Sequence, residues 1–238
     1  MQSMSSRKPN AAVILAAGNG KRMGSKYKQF MRIKGKPVVC YSLDAFLGVA
    51  SIDLVIVVVP TKHVHTTKSL LWRHYQNSTV EIIAGGKTRR ASIYAALRHL
   101  ASNQGFASGQ GYVVIHDAAR PLVTQKTINS VLVAARKWGA SVASVPAIDT
   151  LLEVEGNLIR RVKNKERMRY SYTPQAFSFH ELLSAHEQAM DRKDIPVTAD
   201  DLELILATDT SLVVRAVDSY PNFKLTYPSD IRIIEALL

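Results

Sequence analysis

The sequence has very little cysteine and no long hydrophobic run. Its 238 residues include one cysteine, Cys40, which excludes a disulfide within the chain and favours a reducing compartment. No apolar run approaches the roughly 18 residues that a membrane helix requires. With 47% hydrophobic and 21% charged residues, the composition is that of a globular protein and excludes a disordered or fibrous chain.

Acidic residues are scarce relative to basic ones. There are 31 Lys and Arg against 19 Asp and Glu, a net charge of +12, which suits nucleic acid, an acidic membrane surface or phosphorylated small molecules. The densest basic stretch covers 160–169. A nucleic-acid-binding module would interleave aromatic residues with these cations. Only Tyr170 and Tyr172 follow them, so we disfavour this alternative, and we expect neither a nucleic-acid nor a membrane partner.

The N-terminus superficially resembles a secretory signal. Arg7 and Lys8 precede the apolar stretch 11–17, but this has only seven residues and continues into a glycine loop. We therefore predict a disordered tail over 1–10 and a single domain over 11–238. We expect a cytoplasmic location, with a plastid as the open alternative.

Apolar runs alternate with helical patterns over the first 150 residues. The runs cover 12–17, 54–59, 80–84, 112–115 and 141–145, and the helical patterns cover 37–50, 63–76, 92–100 and 127–138. Such runs, bounded by turn residues, are typical of strands buried on both faces of a parallel sheet with helical crossovers. The pattern predicts a doubly wound α/β fold with a mostly parallel sheet.

The alternation breaks after Asp149. Two short strand patterns, 151–155 and 158–162, flank Gly156-Asn157, a turn signal for a β-hairpin. These segments are too charged to form a core layer, so we predict a projecting β-hairpin arm over about 150–172. Helical patterns at 180–190, 200–208 and from 228, with a strand pattern at 211–217, complete the chain.

The first predicted strand ends in a glycine-rich loop over 15–24. In open α/β sheets, ligands bind beyond the carboxyl ends of strands, where small residues let backbone N–H groups approach phosphate. Arg22 and Lys28 would supply the countercharge. The loop fits no dinucleotide fingerprint, because Met23 occupies the third glycine position, and no Walker loop is present. A tight turn with exposed cations is the alternative interpretation.

Six ordered segments resemble one enzyme family. They are 15–38, beginning Leu15-Ala16-Ala17-Gly18, then Gly85-Gly86-x-x-Arg89-x-x-Ser92, 115–121, 145–150, 173–177 and 222–230. The set is similar to the 2-C-methyl-D-erythritol 4-phosphate cytidylyltransferases of the non-mevalonate isoprenoid pathway. The resemblance implies a Rossmann-like nucleotidyltransferase fold, transfer of CMP from CTP to a polyol phosphate, release of pyrophosphate and a need for Mg²⁺. A ribitol 5-phosphate cytidylyltransferase shares the CTP half of the site and is the alternative.

The resemblance also implies roles for individual residues. Catalytic roles fall on Arg22, Lys28, Lys165 and Lys224. CTP-binding roles fall on Ala16, Ala17, Gly18, Gly20, Gly85, Gly86, Arg89, Ser92, Asp117 and Ala118. Acceptor-binding roles fall on Asp117, Arg120, Thr150, Thr173, Lys165 and Lys224. Asp117 would also contact a metal ion held mostly by phosphates, and the arm would form a homodimer.

Three departures from the family pattern leave alternatives open. The spacing after Arg22 allows either Lys26 or Lys28 to reach the triphosphate, and we favour Lys28. Lys165 stands where the family has an arginine in the arm, and Arg167 could substitute for it. Met168-Arg169 replaces the family's usual Leu-Trp at the return of the arm.

The histidines offer no catalytic or metal pattern. His116, at the end of a predicted strand, is expected to be hydrogen-bonded locally. His63 and His65 lack a carboxylate or cysteine at ligand spacing, so we expect exposed helix residues.

Overall fold

A computed structural model describes residues 7–24, 27–75, 79–191, 200–208, 212–219 and 222–238. Residues 1–6 of the predicted tail and the alternative Lys26 lie outside these ranges. The predicted boundary of the tail is wrong at Asn10. This residue is fully buried and begins the first strand, where it is paired with Tyr112. Its N–H donates to Oδ2 of Asp53 at 2.8 Å.

The described chain alternates strands and helices. The strands are β1 (Asn10–Leu15), β2 (Arg32–Ile33), β3 (Lys36–Pro37), β4 (Leu54–Val59), β5 (Val80–Ala84), β6 (Tyr112–Asp117), β7 (Gly139–Pro146), β8 (Leu151–Glu155), β9 (Leu158–Lys163), β10 (Arg169–Ser178) and β11 (Val213–Asp218). The helices are α1 (Val38–Leu47), α2 (Val64–Tyr75), α3 (Arg89–Ala101), α4 (Gln125–Trp138), α5 (Phe179–Asp191), α6 (Asp201–Thr208) and α7 (Asp230–Leu237). None of these helices is long and apolar enough to cross a membrane.

A seven-stranded sheet in the order β11-β7-β10-β6-β1-β4-β5 forms the centre of the molecule. Alternate residues along its strands face opposite layers. Val13 and Ile56 pack with α3 and α5, whereas Ile14 and Val57 pack with α1 and α4. Both faces are therefore covered, and the predicted doubly wound, mostly parallel α/β fold is confirmed.

Sequence patterning missed the long strand β10, as well as the two-residue strands β2 and β3. The strand β10 lies antiparallel between β6 and β7, in an otherwise parallel sheet. Its first half is polar and aromatic, so no continuous apolar run marks it. Its pairing with β7 also shifts between Ser171 and Gln175, around Pro174. Proline cannot donate to a ladder and is tolerated at such an irregularity.

The hairpin β8–β9 forms at the predicted strand patterns, but the arm ends before the predicted 172, because residues 169–171 pair with β7 in the central sheet. Among the described strands, β8 and β9 pair only with each other. The hairpin leaves the sheet after β7 and returns through β10. Its apolar side chains are exposed: Leu152, Val154, Leu158, Ile159 and Val162.

The strand order fixes where a ligand can bind. From β1, the chain proceeds to β4 and β5 on one side and then to β6 on the other. Loops on either side of such a reversal diverge and leave a crevice at the carboxyl edge of the sheet. The segments that follow β1, β5, β6 and β11 all emerge at this edge.

Candidate active site

A pocket of about 460 Å³ opens at this edge of the sheet, a size suited to a small-molecule ligand. The predicted site residues among its lining are Ala16, Ala17, Gly18, Gly20, Arg22, Lys28, Gly86, Arg89, Ser92, Asp117 and Lys224. Four separate segments of the chain thus converge on one cavity. The lining also includes residues that the sequence did not single out as site residues: Asn19, Gln29, Lys87, Thr88 and Thr226.

The glycine loop after β1 is held from below by Gln29. The side chain of Gln29 is buried, and its Nε2 donates to the carbonyl oxygens of Ala16 at 2.6 Å and Gly18 at 3.0 Å. Gly20 has a φ of +62°, a conformation that favours glycine. Gln29 therefore positions the loop, and its only sequence signal was its place directly after Lys28.

Two cationic side chains, Arg22 in the glycine loop and Lys28 after it, line the pocket. Arg22 is exposed, and its guanidinium carbon lies 5.8 Å from the ring centroid of Tyr227. Nζ of Lys28 donates to the carbonyl oxygen of Leu225 at 2.5 Å. Burial and the like charges of Lys224 and Arg22 lower the pKa of Lys28. This crowding of positive charge favours an anionic ligand.

The Gly85-Gly86 turn on the opposite wall has no room for side chains. A Cβ at Gly85 would lie 2.7 Å from Cβ of Ala17, and one at Gly86 would lie 2.4 Å from Cβ of Ala91. Gly86 lines the pocket, whereas Gly85 lies behind it. Oγ of Ser92 accepts from the N–H of Gly86 at 3.1 Å. Ser92 therefore braces this turn against the start of α3.

The carboxylate of Asp117, the last residue of β6, lies at the centre of the site. Its Oδ2 lies 2.6 Å from Nζ of Lys224, and its Oδ1 lies 3.6 Å from Nε of Arg89. Burial alone would raise the pKa of Asp117, but the positive charges of Lys224, Arg89 and Arg120 hold it well below its usual range. The carboxylate is therefore ionised and oriented before any ligand arrives.

Two of the predicted acceptor-binding residues are buried beside the pocket and do not line it. Nη1 of Arg120 donates to the carbonyl oxygen of Asn222 at 2.8 Å, and its guanidinium carbon lies 4.4 Å from the ring centroid of Tyr172. Oγ1 of Thr173 accepts from the N–H of Asp117 at 3.0 Å. Nε of Arg120 is buried without a hydrogen-bond partner.

The predicted arm residues lie away from the pocket within one chain. Thr150, Lys165 and Arg167 are exposed, and none of them lines the cavity. Nζ of Lys165 donates to the carbonyl oxygen of Ile148 within the arm, at 2.9 Å. Ala118 does not line the pocket either, because its side chain is buried in the core beneath β1.

The predicted structural role of His116 is confirmed. The ring is fully buried, with Nε2 at 3.2 Å from the carbonyl oxygen of Arg120 and Nδ1 at 3.2 Å from Oγ1 of Thr173. Burial lowers the pKa of His116 to about 3. The imidazole is therefore neutral and holds the segment after β6.

The prediction of two exposed helix histidines is correct only for His65. His63 precedes α2 and is half-buried, with its ring centroid 4.5 Å from that of Tyr27 and 5.6 Å from that of Phe30. Aromatic packing, invisible to local sequence, accounts for this difference. Within the described ranges, no three or more His, Cys, Asp or Glu side chains cluster as a metal site.

Comparisons with known proteins identify the family. The family model for IspD, 2-C-methyl-D-erythritol 4-phosphate cytidylyltransferase, matches residues 10–238. The chain belongs to this family. Enzymes named 2-C-methyl-D-erythritol 4-phosphate cytidylyltransferase from Bacillus mycoides and Halalkalibacterium halodurans are each 35% identical to it. The matches cover 95% and 96% of this chain and 96% of each relative.

Solved structures within the IspD family have the same fold. The 4-diphosphocytidyl-2C-methyl-D-erythritol synthase from Anaerococcus prevotii superposes with a TM-score of 0.82 at 26% identity, over 96% of this chain and 95% of that one. The 2-C-methyl-D-erythritol 4-phosphate cytidylyltransferase from Thermus thermophilus gives 0.72 at 29% identity, over 94% and 96%. The similarity therefore covers the sheet and the pocket together.

Arg169, which departs from the usual IspD sequence pattern, has a structural role. Nε of Arg169 donates to Oγ of Ser144 at 2.8 Å, and its guanidinium pairs with Asp218. The side chain thus connects the start of β10 to β7 and β11. It fixes the return of the arm and lies outside the pocket lining.

Proposed function

We propose that this protein transfers CMP from CTP to 2-C-methyl-D-erythritol 4-phosphate, giving 4-diphosphocytidyl-2-C-methyl-D-erythritol and pyrophosphate. The family match over residues 10–238 supports this proposal. One observation carries the proposal: a single pocket, at the edge where the strand order reverses, is lined by three cations and a carboxylate. These are Arg22, Lys28, Lys224 and Asp117. Such a constellation suits a reaction between two phosphorylated molecules.

The glycine loop and its cations would bind the triphosphate. An oxygen of the acceptor phosphate attacks the α-phosphorus, and the bond from that phosphorus to the bridging oxygen of the β-phosphate breaks. Pyrophosphate leaves with the electron pair. Arg22 and Lys28 stabilise the charge that accumulates on the α-phosphate and the leaving group, and fixed cations act more strongly there than mobile water.

The Gly85-Gly86 turn would recognise the base. Cytosine differs from uracil in its exocyclic amine and ring nitrogen, so short-range backbone groups at this turn can discriminate between them. Gly86 lines the pocket and carries no side chain, which supports a close approach of the base to its backbone. Ser92 acts here by bracing the turn.

Lys224 would orient the acceptor phosphate for attack. Its Nζ is held 2.6 Å from Asp117 and remains partly exposed to the pocket. The acceptor phosphate can therefore approach an ammonium group that is already in place. Arg120 and Thr173 would also belong to this subsite, and both are buried beside the pocket.

Asp117 would be the protein's contact to Mg²⁺. The ion accepts one or two carboxylates and otherwise keeps water or binds substrate phosphates, and one ionised carboxylate in the pocket fits that pattern. When bound, the ion would neutralise phosphate charge. Asp117 itself holds Lys224 and approaches Arg89, whatever the state of the ion.

The arm would bring a second subunit to the site. Ile159 and Val162 of the arm are 62% and 67% exposed, and a row of exposed apolar residues is typical of an interaction surface. We propose a homodimer through the arm, in which Lys165 or Arg167 reaches the acceptor subsite of the partner subunit.

Cys40 is buried and forms no disulfide, which supports a cytoplasmic location.

An acceptor panel tests the proposed function. Pyrophosphate release is measured with CTP or UTP, Mg²⁺, and either 2-C-methyl-D-erythritol 4-phosphate or ribitol 5-phosphate. The proposal expects turnover with CTP and the methylerythritol phosphate, and at least about 100-fold lower kcat/KM for every other pair. Preference for ribitol 5-phosphate, or no turnover with either acceptor, would overturn it.

A further inference from the structure

Arg89, Asp201 and His186 form a buried charge cluster behind the pocket. Of these three residues, only Arg89 lines the pocket. Asp201, at the start of α6, is 2% exposed. Nη1 of Arg89 donates to its Oδ2 at 2.6 Å. Burial would raise the pKa of Asp201, but the hydrogen bond from His186 and the charge of Arg89 lower it overall. An ionised carboxylate only accepts, so His186 donates through Nε2 to Oδ1 at 3.1 Å.

Arg89 lies between the carboxylates of Asp117 and Asp201 and forms a hydrogen bond only with Asp201 among these two. Its contact with Asp201 has hydrogen-bond geometry, whereas its Nε lies 3.6 Å from Oδ1 of Asp117, beyond a direct bond. The other oxygen of Asp117 accepts from Lys224 at 2.6 Å. The order Lys224–Asp117–Arg89–Asp201 therefore alternates in charge from the pocket to α6.

We infer that Asp201 is a positioning residue that holds Arg89 away from Asp117, so that Asp117 remains the partner of Lys224. This inference rests on the proposed function, because it concerns how the acceptor-binding lysine is placed. His186 fixes the carboxylate of Asp201 from the opposite side, where its own ring is stacked at 6.3 Å on Tyr94.

Loss of the charge at Asp201 would redistribute these pairs. The Arg89 guanidinium would keep Asp117 as its stronger remaining anionic neighbour, ahead of Asp200. Coulomb attraction between two poorly solvated groups grows steeply as they approach. A closer Arg89 competes with Lys224 for the same carboxylate. The expected consequence is a poorly oriented Lys224, which impairs use of the acceptor more than binding of CTP.

Asp201→Asn tests the inference, with Glu203→Gln as the matched control. Glu203 is an exposed acidic residue on the same helix. We expect Asp201→Asn to lower kcat/KM for the acceptor about tenfold and to change the KM for CTP less than about threefold. The control should leave both values unchanged. Equal losses for both substrates would overturn the inference.

A second comparison separates positioning from a loss of folding. Arg89→Gln and the double variant Arg89→Gln/Asp201→Asn are compared directly, because replacing both partners of a buried pair avoids leaving an unpaired charge. If Asp201 acts through Arg89, the two proteins have the same acceptor kinetics. A further tenfold loss in the double variant would overturn the inference even if Asp201→Asn alone does not fold.

A structural measurement keeps this inference distinct from the proposed function. Wild-type turnover is measured first, and its absence would overturn the proposed function alone. In that case, a crystal structure of the double variant, or of Asp201→Asn where it folds, still reports on the pairs. We expect Arg89 to bond directly to Asp117 in Asp201→Asn, and Lys224 to keep Asp117 in the double variant. An unchanged Arg89 in Asp201→Asn, or loss of the Lys224 pair in the double variant, would overturn the inference.

Discussion

The pocket rim and the arm differ in how completely a single chain builds them. At the rim, Asp117 is paired with Lys224, Lys28 is bonded to a backbone carbonyl, and Gln29 holds the glycine loop. In the arm, Lys165 reaches only a local carbonyl oxygen, and the neighbouring apolar side chains are exposed. The rim is therefore built by one chain, whereas the described arm residues make no contact with the pocket of their own chain.

This difference separates two kinds of catalytic contribution. Groups at the rim are held in place before the substrates bind, so they can stabilise charge without reorganising. In the proposed homodimer, a residue in the arm would contribute to the site of the partner subunit. We therefore expect substitutions at the rim to act within one subunit and substitutions in the arm to act between subunits.

Replacing Arg22 should have the largest effect. Arg22 is exposed, so Arg22→Ala should leave stability unchanged but lower kcat by about 100- to 1,000-fold, the usual cost of removing one group that stabilises transition-state charge. Pyrophosphate release with saturating CTP and acceptor provides the measurement. Lys68→Ala, an exposed cation on α2, is the control. A tenfold weaker CTP affinity at unchanged kcat would contradict a catalytic role for Arg22.

Lys224→Ala should be nearly as severe but selective. We expect about a 100-fold loss in kcat/KM for the acceptor, because Lys224 orients the attacking phosphate. CTP affinity, measured by calorimetry, should change only a few-fold. An equal loss for both substrates would show that Lys224 does not belong to the acceptor side.

A mixing experiment sharpens the comparison between rim and arm. Lys165→Ala should lower activity about tenfold if it acts across the dimer. When dimers are exchanged between Lys165→Ala and Lys224→Ala, one mixed site keeps both lysines, so the mixture should regain activity above either parent. Arg167→Ala is tested in the same way to decide which cation reaches the partner.

Failure of such mixtures to regain activity would contradict a cross-subunit role for the arm. Light scattering provides the structural control. Ile159→Glu should shift the protein toward monomer without changing its unfolding temperature by more than a few degrees, because Ile159 is exposed within one chain. A fully active monomer would exclude a contribution of the arm to the site of the partner subunit.

Substitutions at Gly18, which lines the pocket, and at Gly85, which lies behind it, should separate an effect on CTP binding from an effect on stability. Gly85→Ala places a Cβ 2.7 Å from Ala17, so we expect the free energy of unfolding to fall by about 1–3 kcal/mol. Nothing lies within 4 Å of a Cβ at Gly18. Gly18→Ala should therefore leave stability within about 0.5 kcal/mol of wild type but weaken CTP binding about tenfold, since the nucleotide would occupy that space.

Denaturant unfolding and CTP calorimetry on both glycine variants provide the measurements. Unchanged CTP affinity in Gly18→Ala would place the nucleotide elsewhere. Wild-type stability in Gly85→Ala would show that the turn can shift without cost.

The smallest expected effect is on the alkaline pH profile. The pKa of Lys28 is lowered, mainly by burial and then by Lys224 and Arg22. The free enzyme should therefore lose this charge below the ordinary lysine value of about 10.4. As pH rises through that range, kcat/KM for CTP should fall. Lys28→Arg should move the decline to higher pH, because arginine stays protonated. A decline that Lys28→Arg leaves unchanged would assign it to another group.

Local patterns predicted the fold where residues were apolar and continuous. The bounds of β4 and β5 agree with the predicted 54–59 and 80–84. β4 is an unbroken aliphatic run that is buried throughout, as a central parallel strand requires, whereas β5 includes Glu81 and is half-buried at the edge of the sheet. The strand β10 was not predicted from the sequence, because its core half is short and its pairing depends on β6 and β7, which are distant in sequence. Tertiary pairing, not local preference, determines that strand.

The site residues also fall into those that local sequence predicts and those that depend on tertiary contacts. Pocket residues in the loops after β1, β5 and β6 were predictable, since parallel strands bring their carboxyl ends to one edge. Gln29 and Asp201 were not predicted, because each acts through another residue that only the folded chain brings near. Thr150 and Lys165 were assigned by family resemblance, and a single chain leaves them outside the cavity.

A crystal structure of the wild-type protein with CTP would test the central claim most directly. The account predicts that the triphosphate lies along the glycine loop, with the guanidinium of Arg22 and the ammonium of Lys28 within about 3 Å of phosphate oxygens. A triphosphate bound with both cations turned toward solvent would contradict it.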